Sequence, residues 1–172
     1  MKKRLLFLSA ILSLVAGAIW LQAADKAKAD IFTAQGQQVG TAVFTQKPNG
    51  VQLELKASNL PSGVHGFHIH NVGKCDAPDF KTAGPHFNPE GKQHGWENPQ
   101  GHHMGDLQNL KVGPNGKASV KFLIQGATLG EGADSLFHPG GTALVIHAAA
   151  DDGKTDPAGN AGARIACGMI TK

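Results

Sequence analysis

The sequence predicts an all-β domain, an antiparallel sandwich or barrel, and three observations support this class. Apolar and polar residues alternate with period two in several short stretches, as they do on strands with one buried face. The 23 glycines and 9 prolines interrupt the chain too often for long helices. After residue 21, no stretch has a sustained 3.6-residue apolar period. Short strands separated by turns are typical of antiparallel sheets.

The clearest predicted element is a β-hairpin over 41–56, whose two alternating runs flank the turn signal Pro48-Asn49-Gly50. Further strands are predicted over 64–69, 118–124, 142–148 and 164–171.

Two irregular stretches, 71–102 and 151–162, lack any periodicity. A loop as long as the first is usually functional when it occurs in a compact domain. We therefore look for chemistry in these two loops.

The N-terminus has the layout of an export signal. Lys2, Lys3 and Arg4 precede an uncharged apolar run over 5–21. We expect residues 1–23 to be a cleaved signal peptide, with an uncleaved membrane anchor through 5–21 as the alternative. Ala23 and Ala29 both suit a cleavage site. Residues 24–31 are then predicted to be an N-terminal tail and 32–172 the functional domain.

The charge of the chain gives no support for nucleic-acid binding. The formal net charge is +3, from 16 basic and 13 acidic side chains. Three of the basic residues lie in the N-terminal signal, so removing it leaves 13 of each sign. We expect no nucleic-acid partner.

The chain has two cysteines, Cys75 and Cys167. An even number in an exported protein favours a disulfide, which would close a loop of about 90 residues. Two free buried thiols are the alternative. No cysteine follows the apolar run, which argues against a lipoprotein anchor.

Histidine carries the main functional signal, because none of the nine histidines precedes residue 65. His68 and His70 lie two residues apart on a predicted strand, so their rings share one face and could share one metal. His103 and Asp106 could meet in a tight turn, and three nitrogens with one oxygen suit tetrahedral zinc. Imidazole suits both copper and zinc. The remaining candidates are His86 and His94 in the first loop and His147 at a strand end.

Three histidines fit this set less well. We expect His65 to be structural, holding loops by hydrogen bonds. We expect His102 to be a solvent-exposed neighbour of His103, and His138 to be an ordinary loop residue.

Taken together, several motifs resemble the copper/zinc superoxide dismutase family, in order and over nearly all of 31–170. Each would be a weak signal alone. The motifs are Gly66-Phe67-His68-Ile69-His70, Gly84-Pro85-His86-Phe87-Asn88-Pro89, His103-Met104-Gly105-Asp106-Leu107, Val145-Ile146-His147 and Gly159-Asn160-Ala161-Gly162-Ala163-Arg164-Ile165-Ala166-Cys167-Gly168.

The resemblance implies an eight-stranded antiparallel Greek-key β-sandwich, immunoglobulin-like, with two long functional loops. It also implies one copper and one zinc per subunit and a disulfide between Cys75 and Cys167. Copper would be held by His68, His70, His86 and His147, and zinc by His86, His94, His103 and Asp106. Asp151 would be a carboxylate behind the ligands, hydrogen-bonded to His68 and His94.

The implied activity is the conversion of superoxide to dioxygen and hydrogen peroxide by cycling of copper between Cu(II) and Cu(I). Arg164 and the bridging His86 would be the catalytic side chains, with His86 taking up a proton. Arg164 would hold the anion beside copper, and Lys154 would extend the positive entrance. The alternative is a non-catalytic copper-binding or copper-delivery domain of the same fold.

The first loop resembles that of bacterial exported members, because residues 76–84 form a longer segment than in eukaryotic members. We expect a periplasmic or extracellular protein, membrane-anchored if the signal stays uncut. A homodimer is expected, with a monomer as the alternative. The difference in loop length argues against transferring the eukaryotic dimer interface.

Overall fold

The computed structural model describes residues 26–172, so the apolar run 5–21 and the predicted cut after residue 23 lie outside it. In the part that it describes, no helix is both long and apolar enough to span a bilayer. The described chain forms strands β1 Lys26–Thr33, β2 Gln38–Lys47, β3 Gly50–Ala57, β4 Gly63–His65, β5 Phe67–His70, β6 Leu110–Val112, β7 Ala118–Gln125, β8 Ala143–His147 and β9 Arg164–Met169, and one short 3-10 turn, Lys81–Ala83.

Seven strands form one antiparallel sheet in the order β5-β8-β9-β1-β2-β3-β7, and β4 pairs with β6 beside it. The two edge strands of the large sheet meet: the rings of Phe67 on β5 and Phe122 on β7 are 6.0 Å apart between centroids. The sheet therefore curls around one apolar core, which confirms the predicted antiparallel barrel. The core is built from inward-facing side chains such as Phe44, Leu53 and Ile146.

The predicted hairpin is present as β2 and β3, joined by Pro48 and Asn49, with Lys47 opposite Gly50. Gly50 has a positive φ of 151°, and a side chain there would collide with the backbone carbonyl of Ile124. Glycine is therefore required where this turn meets β7.

Residues 26–31, expected to be part of an N-terminal tail, belong instead to β1. Ala27, Ala29 and Ile31 point into the core, whereas Lys26 and Lys28 are exposed. The alternation was present in the sequence, but alanine is a weak apolar signal and the lysines suggested a solvated segment. The folded domain therefore includes residues before the predicted boundary at 32.

The strand predicted over 64–69 is split at Gly66 into β4 and β5, which pair with different partners. If β4 and β5 are counted as one strand, the described chain has the eight strands that the resemblance implies. A side-chain carbon at Gly66 would lie 2.8 Å from the Ala161 methyl group, so the second loop packs directly on the break. Strand β6 was not predicted, because three residues are too few to establish an alternating pattern.

Three long connections join the strands: the first loop (71–109), the connection 126–142 and the second loop (148–163). The first and second loops meet above β5 and β8. The first loop is bound to β9 by a disulfide between Cys75 and Cys167 (S–S 1.99 Å), so the alternative of two free thiols is wrong. The first loop is thus covalently fixed to the barrel.

Candidate metal centre

Three buried histidines project from adjacent strands toward one point. His68 and His70 lie on β5 and His147 ends β8, its partner in the sheet. As predicted from the spacing, His68 and His70 share a face, and their ring centroids are 6.3 Å apart. The Nε2 atoms of His70 and His147 face each other at 3.4 Å.

Backbone carbonyls fix the orientation of two of these rings. His70 Nδ1 donates to Gly84 O at 2.8 Å, and His147 Nδ1 donates to Gly162 O at 3.2 Å. A carbonyl can only accept, so Nδ1 carries the proton in each neutral ring and Nε2 presents a lone pair. Two lone pairs 3.4 Å apart repel each other unless a cation lies between them.

Asp151 orients the third ring, that of His68, and also the ring of His94 in the first loop. Its Oδ2 accepts from His68 Nε2 at 2.7 Å, and its Oδ1 accepts from His94 Nε2 at 3.0 Å. Each ring therefore turns its Nδ1 edge inward, away from the Asp151 carboxylate. This is the arrangement in which an outer carboxylate sets the tautomer of metal-binding histidines.

The first loop supplies a second cluster, centred on Asp106. Its Oδ1 lies 2.8 Å from His86 Nδ1, 3.0 Å from His94 Nδ1 and 3.3 Å from His103 Nδ1. The His94 contact lacks hydrogen-bonding geometry. Backbone N–H groups of His103 and Gly95 donate to Asp106 Oδ2, both at 3.0 Å, and hold the carboxylate in place.

His86 belongs to both clusters. In each cluster, one ligand atom per residue lies within 4.8 Å of all the others, and all the side chains are buried. Among the described residues, the buried atoms His68 Nδ1, His86 Nε2 and His94 Nδ1 have no hydrogen-bond partner. Such orphaned nitrogens fit metal ligation. The groups are His68, His70, His86 and His147, which suit copper, and His86, His94, His103 and Asp106, which suit zinc.

The copper group is held in the neutral form that metal binding requires. Burial lowers the pKa of His68 to about 3 and that of His147 to about 4. Burial likewise places the pKa of His70 well below its ordinary value. These rings are unprotonated at neutral pH and ready to accept a cation.

The zinc group differs because carboxylates surround it. Burial lowers the pKa of His94, but contacts with Asp106 and Asp151 outweigh burial and raise it to about 9. Burial raises the pKa of Asp106, yet its contacts with the histidines hold that pKa well below the usual range. In the metal-free protein, His94 therefore carries a proton at neutral pH. Its positive charge partly compensates the carboxylates of Asp106 and Asp151, as a bound cation would.

Arg164 starts β9, and its guanidinium reaches the first loop. Its Nη1 donates to Phe80 O and its Nη2 to Gly84 O, both at 2.7 Å. Lys154, the other expected substrate-guiding side chain, forms an ion pair with Glu97 at 3.0 Å. This pairing offsets the lysine charge.

The three remaining histidines lie outside both clusters. His65 is structural as expected, since its ring nitrogens contact His147 O at 2.8 Å and Pro61 O at 3.0 Å. His102 is half-buried rather than solvent-exposed, because its ring packs 4.1 Å from that of Trp96.

His138 stacks on Phe87, with ring centroids 5.3 Å apart. It therefore packs the connection 126–142 against the first loop.

One side chain that sequence analysis did not single out is Asp156. Its Oδ1 accepts from the backbone N of His94 at 2.7 Å, which ties the second loop to a ligand of the zinc group. An aspartate in a Gly- and Pro-containing loop gives no sequence signal for this role, because the partner is 62 residues away.

Fold and site together define a class of protein: an antiparallel β-barrel with two adjacent metal-binding groups that share one imidazole. The family described as "Copper/zinc superoxide dismutase (SODC)" matches residues 38–170. The chain belongs to this family of oxidoreductases, and its histidine groups fit a copper and a zinc ion.

Individual proteins of known name or structure are similar to this chain as well. The chain is 51% identical over 147 residues to "Superoxide dismutase [Cu-Zn] 1" of Aquifex aeolicus (strain VF5), covering 84% of this chain and 87% of that protein. It is 42% identical over 139 residues to a superoxide dismutase-like protein of Bacillus subtilis (strain 168), covering 79% and 71%. The crystal structure of a double mutant of a SOD-like protein from Bacillus subtilis superposes with a TM-score of 0.81 at 40% identity, covering 84% and 97%.

Proposed function

We propose that this protein converts superoxide to dioxygen and hydrogen peroxide at a copper–zinc centre bridged by His86. The observation that carries the proposal is that the buried ring of His86 belongs to two adjacent ligand groups. An imidazole shared in this way has no role in a site for a single metal. The all-nitrogen group would hold copper, and the group containing Asp106 would hold zinc.

Bound copper would supply the redox chemistry, oxidising one superoxide to dioxygen and passing the electron, with two protons, to a second that leaves as hydrogen peroxide. The protein keeps His68, His70 and His147 neutral and aimed at one point. The anchors on their outer nitrogens prevent the rings from turning away.

His86 is proposed to handle a proton. Its Nε2 is buried and has no partner in the described structure, while its Nδ1 faces Asp106. With Nδ1 serving the zinc group, Nε2 would take up a proton only while it is not itself a ligand, and could then donate that proton to the reduced substrate. Burial lowers the pKa of His86 and so disfavours a second proton on the ring.

Arg164 is proposed to attract the anionic substrate. Two carbonyls fix its guanidinium, which remains charged at neutral pH, beside the loop that carries His86. Superoxide dismutases are themselves a standard example of enzymes that steer a small anion electrostatically. Lys154 is retained only as a secondary contributor, because its ion pair with Glu97 reduces its field.

We further propose that the protein is exported to the periplasm or the cell exterior and functions as a homodimer. The disulfide supports an oxidising location. Candidate interface side chains are the large apolar residues of 26–172 that are at least 40% exposed, and sedimentation analysis of the mature protein would test the dimer. They are Phe32, Val43, Val64, Trp96, Leu123 and Met169.

The experiment that tests the function is metal analysis combined with a dismutation assay on the purified mature protein. We expect one copper and one zinc per chain, and activity that disappears when copper is removed and returns with copper. A protein that binds both metals without dismutating superoxide would instead be the copper-binding or copper-delivery domain. Uptake of one metal per chain would contradict the bridged centre.

A further inference from the structure

Asn109 makes a paired contact with the second loop that the functions assigned so far do not use. Its Nδ2 donates to the backbone O of Asp151 at 2.8 Å, and its Oδ1 accepts from the backbone N of Asp151 at 2.8 Å. One amide side chain thus satisfies both backbone groups of a single residue 42 positions away. Such a pair fixes the orientation of that backbone as well as its distance.

The residue held in this way is the one that joins the two ligand groups. Asp151 directs one carboxylate oxygen to His68 and the other to His94. It lies in the loop 148–163, where it has no strand ladder to fix it. A small displacement of its backbone would lengthen both hydrogen bonds together, and ligand shells tolerate errors of only about 0.5 Å.

Asn109 is suited to act as the fixed side of this contact. It immediately precedes β6, whose first residue Leu110 is buried and pairs with His65 of β4. It also ends the segment that begins at Asp106, the carboxylate of the zinc group. The amide therefore projects from a strand end that is paired in a sheet, toward a loop residue that has no strand pairing of its own.

We propose that Asn109 is a positioning residue: by clamping the Asp151 backbone it keeps His68 and His94 oriented, and so sets how firmly the zinc group holds its ion. The inference rests on the proposed copper–zinc function. It adds to that function a side chain whose hydrogen bonds, within residues 26–172, go to the Asp151 backbone and to no metal ligand.

The test compares zinc release from Asn109→Ala and Asn88→Ala, using metal-free protein loaded with zinc alone and a chromogenic chelator to trap released ion. Asn88 is a matched control, since it is also a half-buried asparagine with both amide atoms on the backbone of one residue, Lys92, at 2.8 Å and 3.0 Å. We expect release about tenfold faster from Asn109→Ala, at the low end for partners outside the ligand shell. Release from Asn88→Ala should stay within about twofold of wild type.

A second measurement separates positioning from general stability. Adding Asn109→Ala to an Asp151→Ala background should change zinc release by less than about twofold, because the clamp no longer has a carboxylate to position. If Asn109→Ala does not fold, Asn109→Asp replaces it in the same comparison. Aspartate keeps the acceptor for the Asp151 N–H and loses the donor, so release should be intermediate.

The inference is overturned if the Asn109 variant releases zinc no faster than the Asn88 variant, or if its effect persists undiminished without the Asp151 carboxylate. Cobalt in place of zinc gives an independent readout. The visible absorption bands of the Asn109 variant should shift from those of wild type, and unchanged bands contradict the inference. Wild-type protein that takes up no zinc would instead overturn the proposed function.

Discussion

Arg164 and His70 donate to the same backbone oxygen, the carbonyl of Gly84, at 2.7 Å and 2.8 Å. One atom of the first loop therefore fixes both the guanidinium proposed to attract superoxide and a ring of the copper group. Any movement of that loop shifts both together. The disulfide to β9 anchors the same loop, three residues beyond Arg164. Charge, ligation and loop attachment are therefore best separated by variants that each change only one of them.

Replacing Arg164 by alanine should lower the dismutation rate by about tenfold at low ionic strength and flatten its dependence on salt, because the steering charge is lost. Copper content should not change, since His70 retains its bond to Gly84. Stopped-flow kinetics over a salt series, with metal analysis, measures both. Arg164→Lys is the control, because it keeps the charge without the two-pronged donor. Copper loss in Arg164→Ala would show that the residue acts structurally, through Gly84.

Replacing His147 by alanine should remove copper while zinc and the fold remain, because this ring serves only the all-nitrogen group. His103→Ala is the reciprocal variant and should lose zinc while retaining copper. Metal content per chain, with circular dichroism as the folding control, distinguishes the two. Equal loss of both metals from His147→Ala would contradict the division of ligands.

Zinc binding to the metal-free protein should release about one proton at pH 7, because His94, with a pKa of about 9, must lose its proton to become a ligand. Acid favours the protonated ring and opposes zinc binding, so the affinity for zinc should rise with pH and level off near about 9. Calorimetry in buffers of different ionisation enthalpy counts the protons. At about pH 10 the release should become small. An equal release at both pH values would rule out His94 as the source.

Replacing both Cys75 and Cys167 by serine should lower the free energy of unfolding of the metal-free protein by roughly 2–4 kcal/mol, since the disulfide closes a long loop in the unfolded chain. The two cysteines are 92 positions apart. Denaturant titration of wild type and the double variant gives the difference. Reductant should destabilise the wild type only. An unchanged unfolding midpoint in the variant would mean that the bond contributes nothing to stability.

Much of the fold was predictable because its strands carry local patterns. The hairpin of β2 and β3 follows from alternation around a Pro-Asn-Gly turn, which needs no distant contact. β1 was missed over 26–31 because alanines bury too little surface to stand out. The break at Gly66 was missed because it depends on which strand each half pairs with, and pairing is not a property of the segment itself.

The identity of the site residues was determined by the sequence, because the ability to bind a metal depends on residue type. The sequence contains six histidines and Asp106 in an order that resembles one family. Only the tertiary structure decided which ring nitrogen each histidine turns inward. That choice is made by acceptors brought from far along the chain, such as Gly84 for His70 and Asp151 for His68. A hydrogen bond between loops leaves no periodic trace in the sequence, so the clamp of Asn109 on Asp151 became visible only in the folded barrel.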